Sequence, residues 1–199
     1  MICLKMTFRW YGMEDSITLE QIRQIPGVSG VVTAVYDVEP GNVWPRESIQ
    51  CLKEEVESHG LKMEVIESVP VHEDIKLGRG RYKEYIENYK ENIRRLAAVG
   101  VKCICYNFMP VFDWTRSRLD QPLEDGSNAL VYYKKDVNKM DPTKMTLPGW
   151  DASYTPKEMA ELIDAYKSLG EEGLWKNLEY FIQEIIPVAI EGDVNKGIH

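Results

Sequence analysis

The stretch GRYKEYIENYKENIRRLAAVGVKCICYN, residues 80–107, holds the two patterns that decide the fold class. Its first part places Tyr82, Tyr85, Ile86, Tyr89, Ile93, Leu96 and Ala97 three or four residues apart, the spacing of one helix face. Gly100 stops that helix, and 101–107 follow as a short apolar run with the length and composition of a strand. The same unit recurs upstream. Residues 4–10 read as a strand and 18–25 as a helix that Pro26 and Gly27 end. Residues 29–36 are a β-branched run without polar alternation, the pattern of a strand buried on both faces. Residues 46–58 form an amphipathic helix on Ile49, Leu52 and Val56 that Gly60 caps, and 61–69 form a third strand. Helical patterns return at 155–169 and 175–191, and 194–198 begin a fifth strand.

Alternating strands and helices with buried strands imply an α/β fold on a parallel sheet. The crossovers suit either a doubly wound sheet or a (β/α)8 TIM barrel. No G-x-G-x-x-G follows the first strand and no P-loop is present, so a dinucleotide site is not indicated. The expected organisation is a single domain over 1–199, with 108–153 as a long ordered insertion over the catalytic face. That insertion has four prolines and little periodicity, but its aromatic residues argue against disorder. Five strands do not close an eight-stranded barrel, so the expectation is the first half of one, up to its fifth strand, with the chain stopping mid-barrel.

Composition narrows the function. The net charge of −8 disfavours nucleic acid and anionic membranes, since no basic stripe is available for phosphates. No apolar run reaches a bilayer's span, and the first residues lack the apolar core of a secretory signal. Cys3, Cys51, Cys103 and Cys105 read as reduced thiols, which with the missing signal indicates a cytoplasmic protein. Cys103 and Cys105 are read as core residues rather than metal ligands.

In parallel α/β folds chemistry gathers at the C-terminal ends of strands, and the informative residues lie there. Arg9 sits inside an apolar strand and needs an anion, either a protein carboxylate or a substrate carboxylate. His72 follows the third strand and reads equally as a loop histidine or a ligand-binding one; His59, near a helix C-terminus, reads as a partner of the helix dipole. Asn107 and Arg116 offer hydrogen bonds to hydroxyls or a carboxylate. Trp114, within an aromatic run, suits a sugar's C–H face or a hydrophobic plug. His199 ends the fifth strand, a common position for a metal ligand.

Longer motifs carry a resemblance. KMTFRWYG (5–12), LEQIRQIPGV (19–28), GVVTA (30–34), VIESVPVHEDIKLG (65–78), YIENYK (85–90) and YNFMPVFDWTR (106–116) are similar to the mannonate dehydratases of hexuronate (glucuronate) catabolism. The resemblance runs from Lys5 to His199 and implies a TIM barrel akin to the xylose-isomerase-like sugar enzymes. It implies a hydro-lyase that converts D-mannonate to 2-keto-3-deoxy-D-gluconate and water. It implies Mn2+ or Fe2+ held by His, Cys, His and Asp, with His199 of KGIH (196–199) as the first ligand, and a homodimer. The other ligands and the catalytic acid and base are expected beyond residue 199, and Cys103 and Cys105 do not match the family's cysteine ligand. Two other readings stand beside it: an isomerase or epimerase of related sugars on the same barrel, and an inactive fragment or binding module.

Overall fold

The structure, a computed structural model, describes residues 4–111, 116–139 and 154–198. They fall into two compact units, Met1–Phe108 with Gly173–His199, and Met109–Glu172.

The first unit is built on a five-stranded parallel sheet. In chain order it comprises β1 (Met6–Arg9), α1 (Leu19–Arg23), β2 (Val28–Thr33), α2 (Arg46–Ser58), β3 (Lys62–Ile66), α3 (Glu73–Leu77), α4 (Tyr82–Ala98) and β4 (Cys103–Tyr106). The second unit contributes β5 (Arg118–Pro122), β6 (Asn128–Val131) and α5 (Lys134–Val137). A long helical segment, α6 (Pro156–Glu191), then passes from the second unit into the first, and β7 (Asn195–Ile198) completes the sheet. Gly170, at φ 69° and ψ 174°, breaks α6 into the two helices that the sequence pattern predicts. No helix among the described residues is long and apolar enough to cross a membrane.

The strand order is β1-β2-β3-β4-β7, every pair parallel. The order follows the chain without reversal, so these five strands contain no topological switch point. Burial shows where the helices lie. On β4, Ile104 and Tyr106 are buried while Cys103 and Cys105 are only partly covered. Ile104 and Tyr106 join Tyr89 of α4 and Phe181 and Ile185 of α6 in one apolar cluster. Phe181 is its hub, with ring centroids 5.0 Å from Tyr89, 5.9 Å from Tyr106 and 5.7 Å from Phe108. Likewise Val31 and Thr33 of β2 are buried and Val32 is not fully so. Val28 and Gly30, on the same side of β2 as Val32, are buried as well, so this strand is largely covered on both sides.

Three local features depart from the sequence reading. Residues 73–77 form α3, with His72 as its N-cap, where a loop is expected. The segment 108–153, read as aperiodic, contains the antiparallel β5–β6 pair and α5. Neither strand of that pair has a fully buried residue, and no apolar–polar alternation marks them in the sequence. Elsewhere local chemistry accounts for the elements. Thr18 and Gln21 form a reciprocal capping box at the start of α1, and Gly78 closes α3 in the left-handed conformation at φ 63°.

Candidate functional site

All five parallel strands point their C-terminal ends to one edge of the sheet, and that edge carries Arg9, Asn107 and the loop bearing His72. Arg9 closes β1. It is in register with Val32 of β2, which is in register with Val65 of β3, and Val65 with Cys103 of β4. Val32, Val65 and Cys103 in this row are only partly buried.

Arg9 departs from the expected pairing. Among the described residues no carboxylate pairs with it. Its guanidinium carbon stands 4.7 Å from the centroid of the Tyr11 ring, and its Nη1 is buried without a hydrogen-bond partner. In the β1–α1 loop, Asp15 accepts the backbone N–H groups of Tyr11 at 2.8 Å and Ile17 at 3.0 Å. A buried N–H of a charged group without an acceptor is costly. Tyr36, at the end of the next strand, donates its hydroxyl to the Trp10 carbonyl at 3.2 Å and ties the two strand tips together.

His72 is half-buried, and its two ring nitrogens have different fates. Nδ1 accepts the Asp74 backbone N–H at 3.0 Å and thereby caps α3. Nε2 has no protein partner among the described residues. Burial, first of all, holds the imidazole below its ordinary value, while Asp74 and Glu73 oppose that shift and Lys76 and Arg81 reinforce it. The ring is thus neutral near pH 7, with its proton on Nε2.

His59, in contrast, is structural. Its Nδ1 faces the Glu55 carbonyl at 2.9 Å and its Nε2 faces the Glu20 carboxylate at 2.9 Å, joining α2 to α1. The sequence reading of a helix-end histidine is correct, and the Glu20 bridge adds to it. Cys51, Cys103 and Cys105 are free thiols. Burial raises Cys105 to about 11, so its thiol stays protonated. Lys196 escaped the sequence reading, although a lysine within a strand is itself a signal. Its Nζ donates to the Tyr89 hydroxyl at 3.1 Å above the Tyr89 and Tyr106 rings, and burial lowers it to about 7.

Asn107 directly follows β4 at the same edge. Arg116 belongs to the second unit. Trp114 and His199 lie outside the described residues. Among the described residues no group of three or more His, Cys, Asp or Glu side chains is placed to hold a metal ion, so these residues alone do not form a metal centre.

Comparison with known proteins gives this edge a context. The family model described as D-mannonate dehydratase (UxuA) matches residues 4–199. The mannonate dehydratase of Streptococcus uberis is 57% identical over 198 residues, covering 98% of this chain and 57% of that protein. The Oceanobacillus iheyensis mannonate dehydratase is 52% identical with the same coverages. The crystal structure of mannonate dehydratase from Streptococcus suis serotype 2 superposes with a TM-score of 0.90 at 51% identity, over all of this chain and 54% of that one. The chain therefore spans little more than half the length of these relatives.

Proposed function

Since this chain belongs to the D-mannonate dehydratase (UxuA) family, we propose that it forms part of a sugar-acid hydro-lyase that converts D-mannonate to 2-keto-3-deoxy-D-gluconate and water. The observation that carries the reading onto particular residues is the partnerless, buried Nη1 of Arg9 at the C-terminal edge of the sheet. The unreversed strand order supports a (β/α)8 barrel, in which the row of Arg9, Val32, Val65 and Cys103 would face the interior. The proposal extends to Mn2+ or Fe2+ with His199 as one ligand, and to a homodimer; both rest on the family resemblance.

The chemistry assigned to this chain is binding and orientation. Arg9 takes the substrate carboxylate, which supplies the acceptor that its buried nitrogen lacks. A cationic anchor at C1 offsets the negative charge that builds on the carboxylate oxygens as the C2 proton leaves. The His72 Nε2–H and the Asn107 amide serve hydroxyls along the sugar chain. Departure of the C2 proton and of the C3 hydroxyl as water leaves an enol. That enol takes a proton at C3 and becomes the 2-keto-3-deoxy acid.

The test is a dehydration assay of the full-length protein on D-mannonate, with and without added Mn2+. The expected result is release of a 2-keto-3-deoxy acid. An isomerase or epimerase would instead return a sugar acid with all its hydroxyls, and no keto-acid under either condition would refute the proposal.

A further inference from the structure

Three separate segments close on one aromatic ring beside His72. Tyr85, on the first turn of α4, stacks on the His72 imidazole with centroids 4.1 Å apart and planes tilted by 33°. Arg81 covers Tyr85 from another side, its guanidinium carbon 5.1 Å from the ring centroid and its Nη1 donating to the Tyr85 hydroxyl at 3.4 Å. Arg81 is fixed in turn by Glu84, to which its Nε donates at 2.8 Å. The loop after β2 supplies the remaining contact. Gly41, at φ 87°, approaches so closely that a Cβ there would lie 2.7 Å from the Tyr85 ring. That loop cannot drift from α4, because Asn88 donates to the Gly41 carbonyl at 2.9 Å and Asn92 to the Asn42 carbonyl at 3.0 Å.

We propose that Tyr85 is a positioning residue: held between Gly41 and Arg81, it fixes His72 so that the Nε2–H is presented as a hydrogen-bond donor to an oxygen of the bound sugar acid. The neutral ring has one tautomer only while Nδ1 stays on the Asp74 N–H, so what must be set is the ring orientation that keeps this bond and aims Nε2. A ring stacked at 4.1 Å sets it by restricting the histidine's second side-chain torsion, which is otherwise broad. The charged groups facing His72 come from both neighbouring helices: Glu73, Asp74 and Lys76 of α3, and Arg81 at the start of α4. Their opposed signs leave burial as the leading influence, and the ring stays uncharged at neutral pH. His72 therefore orients substrate and does not shuttle its proton.

The assignment of a sugar acid to this edge rests on the proposed function, whereas the clamp on the ring does not. The experiment has two readouts on the full-length protein. The first is the 15N spectrum of selectively labelled histidine without substrate, with His72 assigned by its loss in His72→Asn. The wild type should show Nδ1 unprotonated and Nε2 protonated. Tyr85→Leu should lose that single tautomer, and Tyr85→Phe should keep it. The second readout is kinetics on D-mannonate. Tyr85→Leu should raise KM about tenfold, with kcat changed much less, corresponding to one lost neutral hydrogen bond. Tyr85→Phe should stay near wild type. Gly41→Ala, which leaves Tyr85 in place but crowds its ring, should shift KM the same way and guards against misfolding of the leucine variant. An unaltered tautomer and an unaltered KM in both Tyr85→Leu and Gly41→Ala would overturn the proposal. Failure of the wild type to dehydrate D-mannonate would count against the proposed function alone, because the spectrum reads the clamp without turnover.

Discussion

His59 shows at the scale of one residue how much geometry adds to a sequence letter. Both of its ring nitrogens face acceptors, the Glu55 carbonyl and the Glu20 carboxylate, so the arrangement is complete only when both carry protons. Its pKa is accordingly raised, by the Glu55 hydrogen bond first and the Glu20 bond second. A group whose folded pKa exceeds its unfolded value stabilises fully below the unfolded value, here 6.5, and loses that contribution as pH rises through the folded value. His59→Ala should therefore lower the thermal midpoint more at pH 5.5 than at pH 8.5. An equal loss at both would show that the charged form has no special role. Position in the sequence made His59 legible as a helix-end residue but gave no sign of Glu20, thirty-nine residues away. Arg9 was legible as an anomaly, a cation in an apolar strand, yet the missing protein carboxylate was not, because partners are chosen in three dimensions. Tyr85 reads from its spacing as one more residue of a helix stripe. Nothing local says that His72 lies beneath it.

At the scale of elements, the periodic patterns were the reliable guide. The strands and the longer helices of the first unit are all present near their expected bounds, because each buries one stripe or face and burial writes the period into the sequence. The failures share a cause. α3 has five residues, too few for a period, and is set by the His72 cap and Gly78. The β5–β6 pair exposes most of both strands and has no apolar side to alternate with. The packing of α4 and α6 on β4 is what holds this side of the sheet's edge in place, and Phe181 is fully buried at its centre. Phe181→Ala should cost about 3–5 kcal/mol of unfolding free energy, by lost transfer and the cavity left behind. Chemical denaturation would measure it. A cost below about 1 kcal/mol would mean that the cluster refills and that the aromatic hub is dispensable.

At the scale of the whole molecule, a parallel α/β fold followed from the alternation of elements, but the choice between a doubly wound sheet and a barrel did not. That choice depends on strand order, which is long-range. The order β1-β2-β3-β4-β7 has no reversal among these strands, which supports the barrel proposed above. The net charge of −8 pointed away from polyanions, yet an acidic protein can still receive an acid where a single cation is left open. The most direct test is the kcat/KM for D-mannonate of the full-length protein carrying Arg9→Met, with Arg9→Lys alongside. The prediction is a loss of about a hundredfold or more for methionine, carried largely by KM, with partial recovery by lysine, which keeps the charge but not the two-pronged geometry. A kcat/KM within a factor of two of wild type in Arg9→Met would contradict it and return Arg9 to a packing role against Tyr11.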